Sequence, residues 1–307
     1  FFLPLDPWRA ERASIGGIYA SNSSGPRRQF YGTVRDLALG AGALNAAGKT
    51  VKFGGVTVKN VSGYDLTKFF IGSAGSLCVV TRVSFRILPL PDAFACCEVR
   101  LPGREAAARL LSAVRGSVLV PSALVAAGGQ DEEQVRIYAG FEGHPKAVER
   151  QNRDLTTLGE DLGGTVRVES GREAMQDRIR ASFNPEIAAP VRAVFKVSVP
   201  LSKGVETFAA MRRLATDQGL ECRLSLLAGN GVLYVHIGYG DAADLDTWVP
   251  AMKEIAAERQ GHALPVLAPA GICRRWGRRG NALVDRLVLE PIKSKLDPQG
   301  ILLPLNS

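Results

Sequence analysis

Histidine is scarce in this 307-residue chain: His144, His236 and His262 are its three copies and lie far apart. No H-x-x-x-H or H-x-H pair occurs, so no local metal-ligand pair is written into the sequence and no metal site is expected. The five cysteines (Cys78, Cys96, Cys97, Cys222 and Cys273) are odd in number and never stand as C-x-x-C. A disulfide framework or an iron–sulfur cluster needs paired or clustered spacings, so both are excluded. A reduced, cytoplasmic setting is the simplest reading. No apolar run approaches the ~20 residues that cross a bilayer, so no transmembrane segment is expected. A P-loop, a G-x-S-x-G nucleophile elbow and a G-x-G-x-x-G following a strand are all missing, which leaves a Rossmann NAD site unsupported. An apolar fraction of 46% with 22% charged residues excludes collagen, coiled coil and wholesale disorder.

What is present suits an ordinary globular chain of about two domains. The net charge of +8 fits an anionic ligand or an acidic partner, and equally fits solubility alone. Arg274-Arg275-Trp276-Gly277-Arg278-Arg279 sets four guanidiniums around one indole, to be read as an anion or partner contact or as a solvated loop face. Nucleic acid is not expected, because the aromatic-rich strand that stacks bases in ferredoxin-like RNA modules has no counterpart.

Along the chain, residues 1–91 are rich in glycine and small residues. Ser14 reads as an N-cap before Ile15-Gly16-Gly17. Strands are expected over 33–46, near 50–58 and over 81–87, with a short helix capped by Asp65. From 92 to 269 the order is strand, helix, two strands, helix, strand, then a linking helix over 171–182 and the same order again. Two tandem ferredoxin-like βαββαβ units, or one wide antiparallel sheet with helices on one face, both satisfy it. Phe208, Met211, Leu214 and Ala215 fall at helical spacing and read as core. Residues 270–307 hold a helix around 281–296 and a closing turn.

The glycine- and serine-rich stretches Ser14-Ile15-Gly16-Gly17, Ser24-Gly25 and Gly72-Ser73-Ala74-Gly75 supply backbone N–H groups with room beside them. A diphosphate or a flat ring needs such donors, although glycines also simply make turns. These stretches, in order with Leu3-Pro4-Leu5-Asp6-Pro7, Pro26-Arg27-Arg28, Tyr31-Gly32, Phe53-Gly54-Gly55, Val58-Lys59-Asn60-Val61-Ser62-Gly63-Tyr64-Asp65-Leu66 and Leu296-Asp297-Pro298-Gln299-Gly300-Ile301, carry a resemblance. The sequence is similar to the second half of an FAD-binding domain of the vanillyl-alcohol-oxidase (PCMH) type, and within it to the FAD-binding subunits of bacterial glycolate oxidases. The implied fold class is α+β: the second half of that FAD domain over 1–91, an antiparallel-sheet cap with helices on one face over 92–269, and a segment over 270–307 returning to the FAD domain.

The resemblance implies FAD as cofactor, with Ser14, Ile15, Gly16, Gly17, Ser24, Gly25, Gly32 and Val80 as flavin contacts. Arg27 and Arg28 would neutralise phosphate or face a sister subunit. It implies a complex that oxidises a small 2-hydroxy acid such as glycolate, with a catalytic FAD sister subunit and an iron–sulfur subunit as partners. The setting would be cytoplasmic, or peripheral on the inner membrane through those partners. The sister subunit's histidine cluster has no match here, since Ala228-Gly229-Asn230-Gly231 is followed only by His236. The chain is therefore expected to support flavin and assembly more than substrate oxidation, and Tyr64 and His262 are the remaining candidates for a base. The chain is also expected to begin after the family's first α/β subdomain. Cys78 stands where a glycine is usual, and Leu303 where an asparagine approaches the flavin. The alternative is a non-catalytic structural subunit or fragment that has lost flavin binding.

Overall fold

The computed structural model describes residues 1–57, 64–129, 134–184, 191–238, 245–276 and 285–305. Contacts divide the chain into two compact units, Phe1–Leu90 with Arg279–Ser307, and Pro91–Arg278.

In the first unit Ser14 caps α1 (Ile15–Ser21), its hydroxyl accepting from the Gly17 N–H at 3.0 Å. A short α2 (Arg28–Tyr31) follows and ends at Gly32, where φ is +83°. The extended stretch expected over 33–46 begins only at Ala38. Thr33 and Asp36 form a reciprocal capping box that winds the preceding residues into α3 (Val34–Leu37), burying Val34 and Leu37. A T-x-x-D spacing ahead of apolar residues is the local signal that outweighs the strand-like composition there. β1 (Ala38–Leu44) turns into β2 (Thr50–Gly54), Asp65 caps α4 (Leu66–Phe70), and β3 (Val79–Phe85) completes an antiparallel sheet of order β2-β1-β3. The Tyr19 hydroxyl donates to the Thr67 carbonyl at 2.6 Å, fastening α1 to α4 over a core that includes Phe53, Phe70 and Leu77.

The second unit runs β4 (Ala93–Leu101), α5 (Arg104–Gly116), β5 (Ala123–Gly129), β6 (Val135–Gly143), α6 (Pro145–Asp161) and β7 (Thr165–Ser170). After α7 (Arg172–Phe183) come β8 (Val191–Ser198), α8 (Gly204–Asp217), β9 (Cys222–Leu227), β10 (Val232–Gly238), α9 (Leu245–Glu258) and β11 (His262–Leu267). All strands join one eight-stranded sheet, β11-β8-β10-β9-β5-β6-β4-β7, with every pairing antiparallel. Each βαββαβ repeat is arranged as its fourth, first, third and second strand, and the two repeats fuse through their second strands, β5 and β9. The tandem repeats and the single wide antiparallel sheet are thus present at once, but the expectation of helices on one face is corrected: α7 lies on the other.

Strand alternation gives this sheet two different faces. Val99, Leu101, Ile137 and Val235 point with their neighbours into a core covered by α5, α6, α8 and α9. The linking helix α7 takes the opposite face, where Met175, Ile179 and Phe183 are buried and Phe183 meets Tyr234 edge-on at 4.7 Å. Met175 packs closely over Gly140, where an added Cβ would lie 3.1 Å from the methionine Cε.

Helix α10 (Ala270–Trp276) stays with the second unit, since Ile272 enters its core. In the first unit, a π-helical turn (Asp285–Leu289) leads into α11 (Glu290–Leu296). Among the described residues no helix is long and apolar enough to cross a membrane.

Candidate functional site

The start of α1 is an exposed shelf. Ser14, Ile15 and Gly17 are exposed, and Gly16 rests on β3, where an added Cβ would make ordinary contact with the Val80 carbonyl at 3.6 Å. Five of the eight expected flavin contacts, Ser14 to Gly17 and Val80, therefore share one surface. Half-exposed Ile15 and the partly buried Val80 give it an apolar character. Bare backbone with no side chain above it, beside a patch of branched carbons, suits a flat, partly apolar group that also needs N–H donors. On this test the residues present fit part of a flavin cradle.

Ser24, Gly25 and Gly32 serve the protein's own packing. The Ser24 hydroxyl is buried and accepts from the Val34 N–H at 3.2 Å. A Cβ at Gly25 would fall 1.7 Å from the Asp6 carbonyl oxygen, and one at Gly32 would meet the Asp36 side chain at 2.7 Å. Arg27, expected beside a phosphate or a sister subunit, is instead buried. Its Nε and its backbone N–H both reach Asp6 Oδ2 at 3.4 Å, and its guanidinium lies over the Phe2 ring.

Cys78 turns its thiol into the core of the first unit, and burial pushes its pKa up to about 11. Leu303 lies over Gly75, whose added Cβ would be 3.3 Å from the leucine Cδ1. The closing motif is a clamp. Buried Asp297 accepts from the Ile301 and Leu302 N–H groups at 2.9 Å and pairs with Lys293, whose ammonium also donates to the Ser76 carbonyl at 2.8 Å. The lysine first, then the two amides, hold the Asp297 carboxyl below the usual carboxylate range.

The remaining sequence candidates are scattered. Tyr64 is almost fully exposed in the first unit, while His262 begins β11 in the second. Burial, then the Lys196 charge, lowers the His262 pKa. His236 is buried in β10 beside Arg223 of β9. Arg275 is helical rather than in a loop and pairs with Asp246 of α9; Gly277 to Arg279 lie outside the described residues, as do Val58 to Gly63. Among the described residues no group of three or more His, Cys, Asp or Glu side chains could hold a metal ion.

One feature escaped the sequence reading. On the α7 face of the large sheet, a hollow of about 300 Å³ is lined by Arg136, Tyr138, Arg178, Ser182, Arg223 and Ser225. Register builds it: Arg136 opposes Ala127, Ala127 opposes Ser225, and Tyr138 opposes Glu98, so side chains from β4, β6, β5 and β9 share one face. Ser225 donates to the Ser182 carbonyl at 2.7 Å, holding the end of α7 at the rim. Burial foremost, then the Glu98 charge, raises the Tyr138 pKa, keeping the phenol protonated. Three guanidiniums and a phenol lining a small recess have the chemistry that suits a compact anion. The alternating Arg-x-Tyr and Arg-x-Ser patterns were the available signal, but alternation alone reads as a solvent-facing side. His262 is on the same sheet face but three strands from Arg223 and in register with Leu227, four residues further along β9, which together separate the two by roughly 19 Å at the usual strand dimensions.

Comparison with known proteins adds to this geometry. Residues 1–64 match the family described as FAD binding domain, and residues 105–306 match FAD linked oxidases, C-terminal domain. The glycolate oxidase subunit GlcE of Escherichia coli (strain K12) is 46% identical over 92 residues, covering 30% of this chain and 26% of that protein. A D-lactate dehydrogenase of Archaeoglobus fulgidus is 28% identical over 245 residues, 74% of this chain and 54% of that protein. The matched stretches thus span between a quarter and just over half of these relatives. A solved structure of alkyldihydroxyacetonephosphate synthase superposes with a TM-score of 0.65 at 16% identity, over 97% of this chain and 58% of that one, which establishes the shared fold.

Proposed function

The chain belongs to the FAD-linked oxidases, and from that membership we propose that it is the FAD-binding subunit of a complex oxidising a small 2-hydroxy acid, glycolate to glyoxylate. FAD is the cofactor of this family. The shelf of Ser14, Ile15, Gly16, Gly17 and Val80 would hold it, with Ser24, Gly25 and Gly32 shaping the ground beneath. When bound, FAD supplies the hydride acceptor.

The observation that carries the substrate class is the arginine-lined hollow. A 2-hydroxy acid presents one carboxylate and one hydroxyl, and Arg136, Arg178 and Arg223 with Tyr138 line a recess of complementary chemistry. The catalytic base remains between Tyr64 and His262, or belongs to a partner. The partners we propose are a catalytic FAD sister subunit and an iron–sulfur subunit, in keeping with the subunit name of the Escherichia coli relative.

Two titrations test this reading. FAD added to the purified chain should bind saturably one-to-one, seen as quenching of flavin fluorescence. Ile15→Glu, an exchange at a half-exposed side chain, should weaken that binding with little change in fold. No quenching would overturn the flavin assignment and favour the alternative of a structural subunit, which Leu303 over Gly75 supports. Separately, oxalate, a compact carboxylate probe, should bind in calorimetry and lose at least tenfold in affinity in Arg136→Ala or Arg223→Ala.

A further inference from the structure

Arg178 reaches the hollow already holding two carboxylates, and the two differ in kind. Its Nε donates to Glu169 Oε2 at 3.0 Å and its NH2 pairs with Glu169 Oε1, a two-pronged contact, while its NH1 lies 3.6 Å from Glu98 Oε2. Glu98 sits in β4 with 4% of its side chain exposed and is held from the other side by the Arg100 Nε at 2.8 Å. Glu169 is on β7, the edge strand, with 24% of its side chain exposed and a second cation, Arg167, at 2.8 Å.

We propose that these residues form a carboxylate latch on the hollow: Glu98 is a fixed anchor that positions Arg178, and Glu169 is an exchangeable occupant whose place an incoming carboxylate takes. The inference rests on the anion-binding reading of the hollow. Taking a buried carboxylate away from its guanidinium leaves an uncompensated charge, so Glu98 stays. A partly exposed carboxylate can return to water at small cost, and Arg167 is beside it to keep it paired. A guanidinium fork accepts one carboxylate as readily as another, so Glu169 and a small acid compete for the same two N–H groups. The latch would turn away weakly held anions and admit those that, from Glu169's place on Arg178, add a contact to Tyr138 across β4, while Arg223 is four strands away on β9. Glu169 is then a specificity-determining residue and Glu98 a positioning residue.

The two roles predict opposite signs. Simple electrostatics says that removing either carboxylate near a cationic recess strengthens anion binding. With the latch, Glu169→Gln tightens oxalate binding two- to fivefold, the factor matching the ~1 kcal/mol ceiling for an exposed pair. Glu98→Gln weakens it, because Arg178 loses its anchor. Calorimetry at low salt on the wild-type chain and both variants reads this out. The Arg178 Nε–H resonance in arginine-labelled protein should also move on oxalate addition in wild type. Because Glu169 is at an exposed edge, its variant keeps the fold and the test survives if Glu98→Gln does not. Equal strengthening by both variants, or no tightening in Glu169→Gln, overturns the latch while Arg136→Ala and Arg223→Ala still report on the hollow. No oxalate binding to the wild-type chain overturns the hollow itself, and the latch with it.

Discussion

Gly25 and Asp6 touch so closely that no side chain fits between them: a Cβ on Gly25 would be 1.7 Å from the Asp6 carbonyl oxygen and 2.4 Å from its carboxylate. The same Asp6 side chain bonds Arg27, so one contact fixes both the opening segment and the turn entering α2. Gly25→Ala must push the two segments apart and should cost about 2 kcal/mol, as overpacking does. Thermal unfolding should fall by roughly 4–8 °C for a chain of this size. An unchanged midpoint would mean that the segments separate freely.

The Asp297 clamp makes an acid-side prediction. Its carboxyl is held below the ordinary value, so the native state prefers it ionised. Its contribution is fully present above the unfolded pKa near ~3.9 and is lost as pH falls through the lower folded value. The Ile301 and Leu302 amide resonances, both from donors to this carboxylate, should therefore titrate together with a midpoint below about 3.9. Asp297→Asn should remove the titration and loosen the turn. A midpoint above the ordinary value would contradict the clamp.

Thiol chemistry tests the burial of the cysteines. Cys78, Cys96, Cys97 and Cys222 are buried and Cys273 is only partly so. Burial pushes the Cys78 pKa up to about 11 and those of Cys96 and Cys97 up to about 12. At pH 8 a thiol reagent should label Cys273 first, with the others following only on unfolding, as mass spectrometry of timed samples would reveal. The sign for stability follows. These raised values favour the native state below the unfolded thiol pKa of ~8.5, and the benefit is lost as pH rises toward the folded values. Rapid labelling of Cys96 or Cys97 at pH 8 would contradict the packing of β4.

Trp248 anchors the second repeat of the cap. It is fully buried on α9, with its ring centroid 5.5 Å from that of Phe195 on β8. Trp248→Ala should cost ~3–5 kcal/mol by cavity formation. Denaturant unfolding would register this as a lower midpoint at similar slope. A loss under ~1 kcal/mol would mean the surrounding helices collapse onto the gap.

Much of the fold was legible because its signals are local. The Ser14 cap, the Asp65 cap, the alternation in β3 and the helical spacing around Phe208 and Met211 each depend on residues a few positions apart. The Thr33–Asp36 capping box is equally local, but the small apolar residues after it have strand-like composition and mask it. For the site, the Ser14 to Gly17 shelf followed from motif order, whereas the burial of Arg27 did not: its partners Asp6 and Phe2 are more than twenty residues away.

By itself the sequence determined the repeated βαββαβ order, through spacing within single segments, and its resemblance to a flavin-linked family, through motifs that follow one another in order along the chain. Only the tertiary structure decided that the two repeats fuse through β5 and β9, that α7 takes the opposite face, and that Arg136, Arg178 and Arg223 meet around one hollow. Strand register is the reason. It sets side by side residues as far apart in sequence as Val125 and Leu227, and no local pattern encodes which strand will lie beside which.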